Sequence, residues 1–146
     1  MTMLWIHPLV QLTMTLLALW VMEMGVRRFL FVHLGRRAVL FPWKRHVLWG
    51  KVVLVGWLAG LVIGVAAMRL SFGTWGITGA HYTVSAVMAA LIGTGYASGH
   101  LLDRVKKRRK YLHVFHGLNN AALLALALYQ GWTGWALVGM FLLPQG

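Results

Sequence analysis

The chain contains no cysteine. That absence excludes disulfides, thiolate-bound metals, iron–sulfur clusters and haem attached covalently through a C-x-x-C-H motif. Acidic residues are almost as scarce, with only Glu23 and Asp103 in 146 residues. Charged residues of both signs make up 11% of the chain, too few to coat a soluble domain. No secretory leader is legible either: Met1–Ile6 lacks a basic n-region, and no small-residue cleavage site follows the first apolar run. What is there is apolar. The chain is 60% hydrophobic with a mean hydropathy of +0.71, well above the soluble norm.

A helix needs about 20 mostly apolar residues to cross a bilayer. Four segments qualify, at about 7–25, 46–68, 81–102 and 113–141. The apolar stretch from Leu70 to Leu102 is too long for one span. Gly73, Thr74, Gly76, Thr78 and Gly79 break its start and read as a turn. The tail is closed by Pro144 and Gly146. The expectation is all-α: one transmembrane domain over residues 1–146, an integral membrane four-helix bundle running up-down-up-down.

A net charge of +12 and a pI near 11.5 invite a nucleic-acid reading, but the positions of the charges explain them better. Arg27, Arg28, Arg36, Arg37, Lys44 and Arg45 lie between the first two spans, with Lys51 just inside the second. Arg104, Lys106, Lys107, Arg108, Arg109 and Lys110 lie between the last two. Only Arg69 is on the other side. The positive-inside rule puts segments 27–45 and 103–112 in the cytoplasm, where they can touch anionic lipid, and both termini outside. The expected location is the bacterial inner membrane, with no nucleic-acid partner. Apolar residues alternate with the arginines of 27–45, which therefore reads as an interfacial segment.

Seven histidines stand at 7, 33, 46, 81, 100, 113 and 116. Histidine within a span is costly and points to function. In a cysteine-free bundle its leading use is axial ligation of b-type haem, one imidazole from each side. Depth sorts the candidates. His7 and His81 open spans at the outer face; His46 and His116 open spans at the cytoplasmic face. In an up-down bundle the first and third helices are diagonal, as are the second and fourth. Each pair can therefore clamp one haem, two in all. His113 and His100 are held in reserve. His113 lies three residues before His116, and His100 lies about 100° round its helix from the His81 face. His33 reads as solvated.

Glycine spacing supports the same four. Eighteen residues make five helical turns, about 27 Å along one face. Position +18 is Gly25 from His7, Gly64 from His46, Gly99 from His81 and Gly134 from His116. Small residues there would let a porphyrin pass. With 17 glycines in the chain the rule is not exclusive: His113 also meets Gly131. Lys44, Arg45 and Lys51 flank His46 and are the nearest candidates for haem propionates, Arg45 and Lys51 foremost.

The remaining residues read more plainly. Eight methionines are gap-fillers. The tryptophans near span ends form an aromatic belt. Glu23 is a relay for a quinone or, more simply, a partner for Arg27. Asn119 and Asn120, a turn below His116, can orient a ligand or bond across helices.

Four short motifs carry a resemblance. They are His7-Pro8, Trp43-Lys44-Arg45-His46, Thr78-Gly79-Ala80-His81 and His116-Gly117-Leu118-Asn119-Asn120. Together they resemble a family of bacterial four-helix membrane proteins similar to the cytochrome b561 superfamily, over nearly the whole chain. The resemblance implies a haem b electron carrier with ligands on four consecutive helices, paired first with third and second with fourth. This chain departs from that plan in placing its ligands at the extreme starts of the spans.

The expected function is an electron-transfer subunit of a membrane cytochrome. It links the quinone pool or the cytoplasmic side to a redox partner, such as a periplasmic cytochrome or a membrane oxidoreductase subunit. With no room for a flavin or nicotinamide domain, it is a carrier, as a homo- or hetero-oligomer, more than a stand-alone enzyme. The rival is a haem-free membrane anchor or assembly subunit. A small transporter fits less well, because the bundle core lacks acids other than Glu23.

Overall fold

A computed structural model describes residues 2–36, 40–105, 109 and 111–143. Arg37, Lys106, Lys107, Arg108, Lys110, Pro144 and Gly146 lie outside the described residues. Four helices account for nearly everything else: α1 (Thr2–His33), α2 (Trp43–Phe72), α3 (Ala80–Arg104) and α4 (Leu112–Phe141). Each is long and apolar enough to span a membrane. The all-α, four-span bundle expected from the sequence is what the chain forms.

The helices run past the boundaries that charge suggested. Arg27, Arg28 and the aromatic residues after them are helical rather than loop, since α1 continues through them to His33. The reason is local. Glu23 and Arg27 pair one turn apart, and nothing breaks the helix before Gly35. There a φ of +63° admits glycine without strain, and the Arg36 N–H folds back on the Leu30 carbonyl. At about 48 Å, α1 is longer than the hydrocarbon layer is thick. Its basic end therefore projects beyond the apolar span. The turn read at 73–79 is present. Gly73, at φ +70°, closes α2 with its N–H on the Arg69 carbonyl at 2.9 Å.

Neighbouring helices pack in a ring: α1 on α2, α2 on α3, α3 on α4, α4 on α1. Among the described residues the diagonal helices make no close backbone approach. The closest packing is within two hairpins, α1–α2 and α3–α4. The first is close because α2 presents glycine every fourth residue. Added Cβ atoms at Gly56, Gly60 and Gly64 would run into Met14, Gln11 and His7 of α1.

The side-chain core is a thin layer halfway along the bundle, with Ala18, Val53, Leu54, Trp57, Met88, Ile92, Leu123 and Ala127. Leu123 has no exposed surface, and Trp57 hydrogen-bonds Thr15 at 3.3 Å. The rest of the apolar surface faces outward. Leu16, Leu118 and Trp132 are 60, 67 and 81% exposed. An apolar exterior on this scale is stable only in lipid.

Candidate metal centres: two histidine pairs on the bundle diagonals

The fold brings four histidines together in twos. His7 on α1 and His81 on α3 meet across one diagonal, with ring centroids 6.2 Å apart and planes crossed at 83°. His46 on α2 and His116 on α4 meet across the other, at 6.4 Å and 78°. The mid-bundle layer of Trp57 and Leu123 lies between the pairs. Among the described residues no cluster of three or more His, Asp or Glu side chains could hold a metal ion. The four histidines come instead as two separate pairs, each joining helices across a diagonal.

Every ring of the four is fixed through Nδ1. His7 Nδ1–H donates to the Gly60 carbonyl at 2.7 Å, and His46 Nδ1–H to the Val21 carbonyl at 3.2 Å. A carbonyl only accepts, so the proton is on Nδ1 and the Nε2 lone pair is free. His81 and His116 reach hydroxyls instead, Thr133 Oγ1 and Ser98 Oγ, each at 2.9 Å. Those hydroxyls donate onward, Thr133 to the Gln130 carbonyl at 3.3 Å and Ser98 to the Gly95 carbonyl at 3.1 Å. The Thr133 hydroxyl therefore accepts from His81 Nδ1–H; His116 Nδ1 also lies 3.3 Å from the Asn120 amide nitrogen, a donor, so either tautomer of that ring finds a partner. A metal-ligating histidine characteristically has its second nitrogen held in this way.

One local device is repeated four times. Gly60, Val21, Gln130 and Gly95 each lie four residues before one of the spaced glycines, Gly64, Gly25, Gly134 and Gly99. Each is therefore the carbonyl that the glycine's own N–H bonds within the helix. The missing Cβ lets the neighbouring ring come close to that carbonyl. A Cβ on Gly64 would stand 2.5 Å from His7 Nδ1. On Gly99 it would be 3.1 Å from His116 Cε1, on Gly134 3.3 Å from His81 Cε1, and on Gly25 3.5 Å from His46 Cε1. The sequence reading expected these glycines to clear a path for porphyrin. The side chain each one meets is the imidazole of the adjacent helix.

The surroundings of the pairs differ. His7 and His81 line a cavity of about 440 Å³ between the hairpins, within the range of ligand sites. Among the described residues no Lys, Arg, Asp or Glu lines it. His46 lies against Phe41 at 5.3 Å, and the Arg28 guanidinium lies 5.4 Å over the same phenylalanine.

The other candidates are placed apart from these pairs. His113 bonds the Arg109 carbonyl of its own helix at 3.0 Å, His100 stacks on Tyr96, and His33 lies by Phe29. Lys51 pairs with Asp103 across α2 and α3 at 3.5 Å, and with Lys44 it lines a smaller pocket of about 240 Å³. Arg45 is exposed. Glu23 takes the plainer of its two readings, as the partner of Arg27. Asn119 bonds across to Thr94 at 2.7 Å and to the Leu91 carbonyl at 3.0 Å; Asn120 bonds the His116 carbonyl at 2.7 Å. Sequence reasoning missed Ser98, Thr133, Gly60 and Arg28. A hydroxyl residue directly before the spaced glycine was the available signal for the first two.

These features define a multi-pass membrane protein of four spans with two opposed histidine pairs. No protein family, curated protein or solved structure matches the chain.

Proposed function

We propose that the chain is a membrane dihaem cytochrome b. In this reading it is an electron-transfer subunit of a bacterial inner membrane, linking the quinone pool or the cytoplasmic side to a redox partner. The separation of the rings carries the reading. An imidazole nitrogen bonds a first-row metal at about 2.0–2.1 Å, with the ring centroid roughly 1.1 Å behind it, so two imidazoles on one metal hold their centroids about 6.3 Å apart. The pairs stand at 6.2 and 6.4 Å. The Nδ1 protons of His7, His46 and His81, which leave Nε2 free on those rings, support the same chemistry.

His7 with His81, and His46 with His116, would hold the two haems, each between two imidazoles. Haem bound there would supply one-electron exchange at iron. The residues would hold the rings rigidly, so that little rearrangement accompanies a change of charge. The two levels are eighteen residues apart on α1, about 27 Å, close to the hydrocarbon thickness. One site would face each side of the membrane. The resemblance to the cytochrome b561 superfamily supports this plan.

The test is the purified protein. Pyridine haemochrome should give two haems b per chain, both low-spin. Crossed imidazole planes leave the two iron dπ orbitals nearly degenerate, so the ferric resonance signals should be of the strongly anisotropic type. A colourless protein would make it an anchor, and one haem per chain would reject the paired sites.

The basic residues favour an orientation with both termini outside the cytoplasm. A C-terminal reporter that works only outside should be active, and activity of a cytoplasm-only reporter at that position would reverse the orientation.

A further inference from the structure

The chain has two acids, and both already have basic partners: Glu23 pairs with Arg27, and Asp103 with Lys51. Among the described residues Arg28, half-buried on α1, therefore has neither side-chain carboxylate as a partner. Its position is specific. It lies three residues beyond Gly25, on the face of α1 that meets His46 and one turn nearer the cytoplasmic end. Its guanidinium lies 5.4 Å over Phe41, which in turn lies 5.3 Å from His46. The residue three beyond the spaced glycine on the other helices is Ala67, Leu102 or Leu137. The device is thus confined to one helix and one histidine pair.

A half-buried guanidinium without a protein anion is costly unless something anionic completes it. We infer that Arg28 is the carboxylate-binding residue of the inner histidine pair, and that it takes a propionate of the porphyrin seated between His46 and His116. The inference rests on the dihaem reading. It reassigns a role that sequence position alone gives to Arg45 and Lys51. Lys51 is engaged by Asp103, and Arg45 is exposed at the start of α2. Guanidinium also suits the role chemically, since its planar fork donates two parallel hydrogen bonds to a carboxylate.

The probes are ferric protoporphyrin IX and its dimethyl ester, in which both carboxylates are blocked. They are loaded into the full chain made without haem. His7→Ala, which leaves only the inner pair, isolates the site. There the ester should bind about ten- to a hundred-fold more weakly than the free acid, the worth of a charge-assisted pair. Arg28→Gln should weaken the free acid by that factor and leave the ester unchanged. Arg28→Lys should recover part of the loss, and Arg45→Gln should not alter the ratio of acid to ester.

If the isolated site is too unstable to load, the chain with all four histidines gives a second readout. There Arg28→Gln should lower the midpoint potential of one haem only, because removing a positive charge favours the ferric state. Equal weakening of acid and ester, or no weakening of either, overturns the inference. The second result would leave the guanidinium to a lipid phosphate. If the native chain takes up neither probe, the dihaem reading itself fails.

Discussion

The α1–α2 and α3–α4 hairpins hold their histidines to the same feature of the neighbouring helix, and they do so by different means. In α1–α2 the imidazole N–H bonds a bare backbone carbonyl, that of Gly60 or Val21. In α3–α4 a hydroxyl, Ser98 or Thr133, stands between the ring and the equivalent carbonyl. Each diagonal pair takes one ring of each kind. A carbonyl cannot be removed by substitution, so the first hairpin fixes its rings through the backbone. A hydroxyl can be lost or exchanged, so the second leaves ring position and basicity open to adjustment by sequence.

The strongest way to break this comparison is to remove the rings. His7→Ala and His81→Ala should abolish the same haem, and His46→Ala and His116→Ala the other. Haem per protein should fall from two to one in each case, read by pyridine haemochrome with a redox titration. Loss of one and the same haem from His7→Ala and His46→Ala would end the paired model, since those residues belong to opposite ends of the bundle.

Glycine substitutions cut across the hairpins and should give a graded series. Gly64→Ala is the most severe, because its Cβ would fall 2.5 Å from His7 Nδ1 on a fixed ring. Overpacking of that kind costs on the order of 1–3 kcal/mol. The outer haem should be lost or weakened. Gly99→Ala and Gly134→Ala, at 3.1 and 3.3 Å from their rings, should be milder, and Gly25→Ala, at 3.5 Å, close to native. Haem occupancy after purification measures the order, and a severe Gly25→Ala beside a silent Gly64→Ala would refute it.

The smallest effect sharpens the difference between the hairpins. Ser98→Ala and Thr133→Val each remove the acceptor of one Nδ1–H, a loss of about 0.5–1.5 kcal/mol. The imidazole becomes a poorer donor, so the ferric state is less stabilised and the potential rises. With one electron, about 59 mV corresponds to a tenfold change, so the shift is a few tens of mV. Ser98→Ala should move the inner haem alone, Thr133→Val the outer alone. Equal shifts in both haems would mean that the hydroxyls act on the bundle as a whole.

The four spans were legible because lipid demands long apolar runs, and nothing else in the chain imitates them. The histidine pairs were legible for a related reason. Once helices alternate in direction, a residue's place in its span fixes its depth, and four histidines at span starts can only meet in two layers. The end of α1 was misread because charge was taken for a boundary, although Arg27 had a partner at Glu23 one turn back. The four glycines are legible from their spacing. Spacing reports a shared face and depth but not which neighbour fills the gap, and the His7 ring reaching Gly64 is a fact of packing between two helices. Arg28 was hidden among equivalent-looking arginines. Only its position one turn past Gly25 sets it apart, and that matters only once α1 is known to stay helical there.

Both histidine pairs draw one ring from each hairpin, and the seam between hairpins is the thinner packing of the bundle. A cofactor held between those rings would act as a rivet across that seam. On the dihaem reading, chains synthesised ahead of haem supply would be two well-packed halves in a loose embrace, open to membrane proteases. Cellular levels of the protein would then follow the availability of haem with no regulator beyond the geometry of its diagonals.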